Sequence, residues 1–192
     1  ISTGEEETFF IKAGENLPAK QILSMFTASE AASYATLDLK PQLGLLHMIE
    51  QKENGCLNQK NIFDNVIAAY LLNPLKNEYP YEDIAKDYSS LMIPSRVDLL
   101  GKLKIKKAAE EKPEALELMA CYEAYACIAA KNQLLEQLED HGMKKLYDEI
   151  EMPLVYVLAD MEKEGVRAEK AELEAYGAQL TGRILELETS IY

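Results

Sequence analysis

The apolar positions of this chain follow two periods. Through the first third, short β-prone runs alternate with stretches whose apolar residues return every three or four positions; beyond that, the helical period alone continues. Residues 1–2 and 8–11 read as strands around a Gly-Glu-Glu-Glu turn, a hairpin too small to stand alone and so expected to join a larger sheet. A helix is predicted over 18–26, opened by Pro18 and carried by Ile22, Leu23 and Phe26. A short strand follows at 33–37. Next comes a helix over 40–52 with Leu43, Leu46, Met48 and Ile49 on its apolar side, broken by Asn54-Gly55. Residues 61–64 read as a strand end feeding a helix over 65–72, with Asp64 as its N-cap and Asn73-Pro74 as its stop.

Past residue 80 the predicted elements are a short amphipathic helix at 80–88, an undecided stretch at 91–113, and a long helix over 114–142 ended by Asp140-His141-Gly142. Further helices are expected over 143–164 and 169–192, the last running to the end of the sequence without a stop signal, as a truncated element would. Within 150–166, Leu154, Leu158 and Met161 share one helical face, Pro153 either starts or kinks the helix, and Gly165 is placed to end it in a left-handed turn. Val166 is then expected to fold back on the last turn.

Charge and composition narrow the function classes. The 192 residues are 48% hydrophobic and carry a formal net charge of −13, which disfavours tight binding to phosphate backbones except through a local basic patch. The concentrated basic segment is 102–107, with Lys102, Lys104, Lys106 and Lys107; it reads as a solvated face or as a weak phosphate contact. No run spans a bilayer, and the acidic start has no apolar core and so is not a signal peptide. Cys56, Cys121 and Cys127 are odd in number and form no C-x-x-C; they read as reduced thiols of a cytoplasmic protein. His47 and His141 lack ligand spacing, so no zinc site is expected.

Three stretches carry a resemblance. Phe63-Asp64-Asn65-Val66-Ile67-Ala68-Ala69-Tyr70-Leu71-Leu72-Asn73-Pro74, the segment Tyr81-Glu82-Asp83-Ile84-Ala85-Lys86-Asp87-Tyr88, and Glu151-Met152-Pro153-Leu154 with Leu158-Ala159-Asp160-Met161-Glu162 and Gly165-Val166 occur in one order. In that order they resemble bacterial DNA polymerase I, the family A DNA polymerases, across the junction of the 3′–5′ exonuclease and polymerase domains. The resemblance implies an α/β ribonuclease H-like exonuclease fold, a mixed sheet with flanking helices, over 1–142. It implies the base helices of a polymerase thumb over 143–192. The family's first strand would precede Ile1, and a sheet without it is expected to close around the gap or to self-associate there or through the last helix.

The resemblance also places the exonuclease chemistry. Two metal ions held by carboxylates would activate water and stabilise the leaving oxygen. The family's second motif falls on Asp38-Leu39-Lys40-Pro41-Gln42, so Gln42 stands where a metal-binding Asp is expected. The third falls on Tyr125-Ala126-Cys127-Ile128-Ala129, with Ala129 in place of the Asp; the register of Tyr122 with Ala126 lacks it too. A neutral amide and a methyl group cannot replace carboxylates around divalent cations. The expectation is a fragment of a DNA-copying parent that uses Mg2+ and reaches DNA through its polymerase domain, with no cofactor and no active site of its own. Asp64 reads as a helix cap rather than a ligand, Tyr125 as a packing residue and Glu123 as a side chain reaching for water or a lysine. The alternative is a free-standing helical interaction module that uses its last apolar stripe.

Overall fold

The computed structural model describes residues 1–3, 7–14, 18, 21, 33–49 and 61–191. Most of the helix expected at 18–26, the Asn54-Gly55 break and Cys56 lie outside the described residues. The chain divides into two compact units, Ile1–Ala159 and Asp160–Tyr192.

The first unit is built on two parallel strands, β1 (Tyr34–Thr36) and β2 (Ile62–Asp64), with Tyr34 opposite Ile62 and Thr36 opposite Asp64. Each strand feeds a helix at its carboxyl end: β1 leads into α1 (Leu39–Ile49) and β2 into α2 (Asn65–Leu72). There follow α3 (Tyr81–Ser89), α4 (Arg96–Leu100), α5 (Ile105–Glu111), the long α6 (Pro113–Asp140), the short α7 (Lys144–Leu146), a π turn at Tyr147–Glu151, and α8 (Met152–Glu164). The second unit, which begins within α8 at Asp160, holds the end of α8 and α9 (Lys170–Ile191). Strands flanked by helices and followed by long C-terminal helices form a degenerate ribonuclease H-like exonuclease fold with a thumb-like helical extension.

Local chemistry sets the ends of these helices. Pro113 opens α6, where its missing N–H costs nothing. At the other end Gly142 has φ +67; its N–H donates to Glu139 O and that of Met143 to Leu138 O, so the last carbonyls are satisfied in a Schellman turn. Met143 then packs on the same cluster as Leu138. The stretch left undecided by the sequence resolves into α4 and α5, α4 being opened by a capping box between Ser95 and Asp98.

The middle of α6 serves two packed clusters. Ala130, Leu134 and Leu138 join Leu39, Phe63, Ala68 and Ile84 in one; Met119 and Ala126 join Tyr81, Ala85, Leu100 and Ala108 in the other. Alanines at Ala68, Ala69, Ala85, Ala126 and Ala130, all essentially fully buried, let α2 and α3 lie close against α6.

Three expectations are corrected. Among the described residues, the N-terminal hairpin is a single antiparallel bridge, Ser2 to Thr8, and it pairs with no other strand; Phe9, Phe10 and Ile11 stay exposed. In α8 the buried face is Met152, Val155 and Ala159, whereas Leu154, Leu158 and Met161 are exposed. Pro153 accounts for the shift. It has no N–H to give and its ring crowds the carbonyl four residues back, and the preceding turn widens so that the Met152 N–H reaches Tyr147 O. One extra residue in a turn rotates every later side chain by about 100°.

Finally, Gly165 does end α8 at φ +74, its N–H donating to Met161 O at 3.0 Å, but Val166 is 99% exposed and folds back on nothing. Gly165→Ala should therefore cost about 1–2 kcal/mol, the price of a Cβ in the left-handed region. Val166→Ser should change stability by no more than about 0.5 kcal/mol. Thermal melts of the two variants check this contrast.

Candidate functional site

In α/β folds, sites form outside the carboxyl ends of the strands. Here that edge is held by backbone donors converging on one acid. Asp64 closes β2 and is fully buried. Its Oδ1 accepts from the Ile67 N–H at 3.0 Å, capping α2 as the sequence predicts. Its Oδ2 accepts from the Leu39 N–H at 2.7 Å, so the same carboxylate also caps α1. The Asp64 N–H donates to the Tyr147 hydroxyl at 2.7 Å, that hydroxyl is 3.2 Å from Asp64 O, and the Tyr147 ring leans on Phe63 at 5.2 Å. Burial pushes the Asp64 carboxyl up to about 6, against the pull of the Ile67 and Leu39 donors and with a further push from Asp38.

Apart from Asp38, the side chains that hydrogen-bond next to this acid are amides and hydroxyls. The Gln42 amide, exposed on α1, donates to Thr36 Oγ1, and Thr36 O accepts from Asn65 Nδ2 at 2.7 Å. Asn65 Oδ1 is buried with no hydrogen-bond partner among the described residues. From α6, which packs on β1, Lys131 Nζ donates to Ser33 Oγ at 2.6 Å, and burial holds this lysine below its ordinary range. Ala129 and Tyr125 are half-buried on the same helix. Glu123 is raised by burial, and no ion pair reaches it among the described residues. The Cys127 thiol is buried and pushed up, first by burial and then by the charges of Glu123 and Asp64.

Lys102, Lys104, Lys106 and Lys107 belong elsewhere, on the turn before α5 and its first residues, and all four are exposed. Tyr147 was not singled out by sequence reasoning. Its neighbours Leu146 and Asp148 give no signal, and its partner lies 83 residues away.

This donor set does not fit a pair of divalent cations. Both oxygens of Asp64 are taken by helix N-termini, Gln42 is neutral, and Ala129 offers no ligand atom. Among the described residues, no three His, Cys, Asp or Glu side chains are grouped so as to hold a metal ion. No helix among them is long and apolar enough to cross a membrane.

No protein-family model matches the chain. Its sequence is 30% identical over 130 residues to DNA polymerase I of Bacillus subtilis, covering 68% of this chain and 14% of that protein. The chain is homologous to bacterial DNA polymerase I. The DNA polymerase I of Streptococcus pneumoniae is 33% identical over 136 residues, 67% of this chain and 15% of the relative. That of Caldicellulosiruptor bescii is 26% identical over 188 residues, 98% of this chain and 19% of the relative. The chain thus spans between about a seventh and a fifth of the length of the DNA polymerase I sequences it matches.

Proposed function

We propose that this chain is the exonuclease-like part, and the start of the thumb, of a DNA-directed DNA polymerase acting in replication or repair. Its 3′–5′ exonuclease site is inactive, and the domain serves as a scaffold. The boundary between the two parts lies near residues 142–143, and the polymerase site, its Mg2+ and its hold on the primer–template belong to the rest of the parent. The observation that carries the reading is the use of Asp64, whose two oxygens cap α1 and α2; the resemblance, which sets Gln42 and Ala129 where metal-binding acids are expected, supports it. A buried carboxylate whose two oxygens each accept from a helix N-terminus holds two helices in place, a structural use of the acid.

The test is direct. Single-stranded DNA labelled at its 5′ end and incubated with the chain and Mg2+ or Mn2+ should keep its full length. Shortening from the 3′ end that a chelator abolishes would overturn the inactive reading.

A second reading, a helical interaction module without nucleic-acid enzymology, draws on α9. Leu173, Tyr176, Leu180, Ile184, Leu187 and Ile191 form a stripe along it, each at least 45% exposed. The expected self-association would rest on the same stripe or on the edge left by the missing first strand. A reading frame that continues past Tyr192 into a domain with two metal-binding aspartates favours the polymerase; a stop codon at that point favours the module.

A further inference from the structure

We propose that the lysine-bearing turn between α4 and α5 is a contact for the phosphate backbone of double-stranded DNA. From Arg96 to Lys112 the chain carries six cations (Arg96, Lys102, Lys104, Lys106, Lys107, Lys112) and three carboxylates (Asp98, Glu110, Glu111), a net of +3 in a chain of −13. Lys102, Lys104 and Lys106 are exposed and make no ion pair among the described residues. Lys107 meets Glu111 at 3.3 Å, but both side chains are at least half exposed, so the pair is weak and readily exchanged. Asp98 is already engaged, its Oδ2 accepting from the Ser95 N–H and hydroxyl.

A solvated charge run would be loosely held, and this one is not. Leu100 and Ala108, on either side of the lysines, are buried against Tyr81, Ala85 and Met119, and Leu103 packs on the same cluster. Arg96 Nη2 donates to Leu103 O at 3.2 Å and ties α4 to the turn. The cations therefore stand on a fixed base, which lowers the ordering cost of a contact.

The choice of DNA among polyanions rests on the polymerase reading above. Four phosphate contacts give a slope of log affinity against log salt of about −3.6, and non-specific sites of this kind bind with Kd of about 10⁻⁴ to 10⁻⁶ M.

The experiment is fluorescence anisotropy of a labelled duplex of about 24 base pairs with the whole chain, between about 50 and 200 mM salt. The wild type should lose about a hundredfold in affinity over that range. A Lys102→Gln, Lys104→Gln, Lys106→Gln, Lys107→Gln variant should melt like the wild type and bind at least about tenfold more weakly at the lowest salt, with a slope near zero. A control carrying Lys86→Gln, Lys145→Gln, Lys163→Gln and Lys170→Gln should keep the wild-type slope. Absence of salt-dependent binding by the wild type, equal loss in both variants, or tighter binding to phosphatidylserine vesicles than to the duplex overturns the proposal. None of these touches the scaffold reading, which falls only to nuclease activity.

Discussion

Replacing Asp64 with Ala should destabilise the chain by about 3–5 kcal/mol. Two helix N-termini lose their cap together, and the Leu39 and Ile67 N–H groups are left buried without an acceptor, at about 1–3 kcal/mol each. For a domain whose total stability is on the order of 5–15 kcal/mol, that is a large share, equivalent to a fall in Tm on the order of 10 °C. Asp64→Asn should lie between the two, since it keeps one acceptor oxygen and turns an amide N–H₂ towards the other donor. Thermal and urea melts of the three proteins measure the series; an Ala variant as stable as the wild type would show that water replaces the caps.

The same carboxylate gives stability a pH dependence of known sign. Its folded value, raised to about 6, lies above the ordinary 3.8, so the folded chain holds the proton more tightly than the unfolded chain does. That contribution is fully present below about 3.8 and is lost as pH rises through about 6. The charged groups facing it do not reverse the trend: Asp38 opposes ionisation, and burial raises both the Tyr147 hydroxyl and the Cys127 thiol. The Tm of the wild type relative to Asp64→Asn should therefore fall between pH 4 and pH 7. A difference that stays flat across the window would place the ionisation of Asp64 back in its unfolded range.

The second large effect is expected at the centre of α6. Leu134 is fully buried within the cluster that joins α1, α2, α3 and α8, so Leu134→Ala removes about three carbons from a packed interior. The cost should be about 2–5 kcal/mol, the upper end applying if its neighbours cannot close the gap. The same cluster includes the fully buried Ala68, Ala69 and Ala130, which have little side chain to move, and this argues for the upper half. Urea denaturation gives the value; a loss below about 1 kcal/mol would mean that the seam collapses freely.

The order of elements was readable in the sequence because local rules govern it. Phe63-Asp64-Asn65 announces a strand, a cap and a helix, and Asp140-His141-Gly142 announces a stop; both features are present where expected. What was not readable depends on distance or on phase. The second cap made by Asp64 joins positions 25 residues apart, and no pattern near Leu39 announces it. The buried face of α8 was not readable because Leu154, Val155, Tyr156, Val157 and Leu158 are all apolar or aromatic, so periodicity alone chooses no side. At the candidate site, the resemblance sets Gln42 and Ala129 where acids are expected, and that expectation needs the sequence alone, whereas the hydrogen bonds that tie Asp64 to two helices needed coordinates.

The bond between Tyr147 and the Asp64 backbone also bears on how the chain is made. On a ribosome adding about 5–20 residues per second, Asp64 is synthesised roughly 4–17 s before the hydroxyl that accepts its N–H. Met152, Val155 and Ala159, which close the same cluster, come later still. Until then the nascent strand pair lacks part of its cover, and slower decoding between residues 64 and 159 would lengthen that interval.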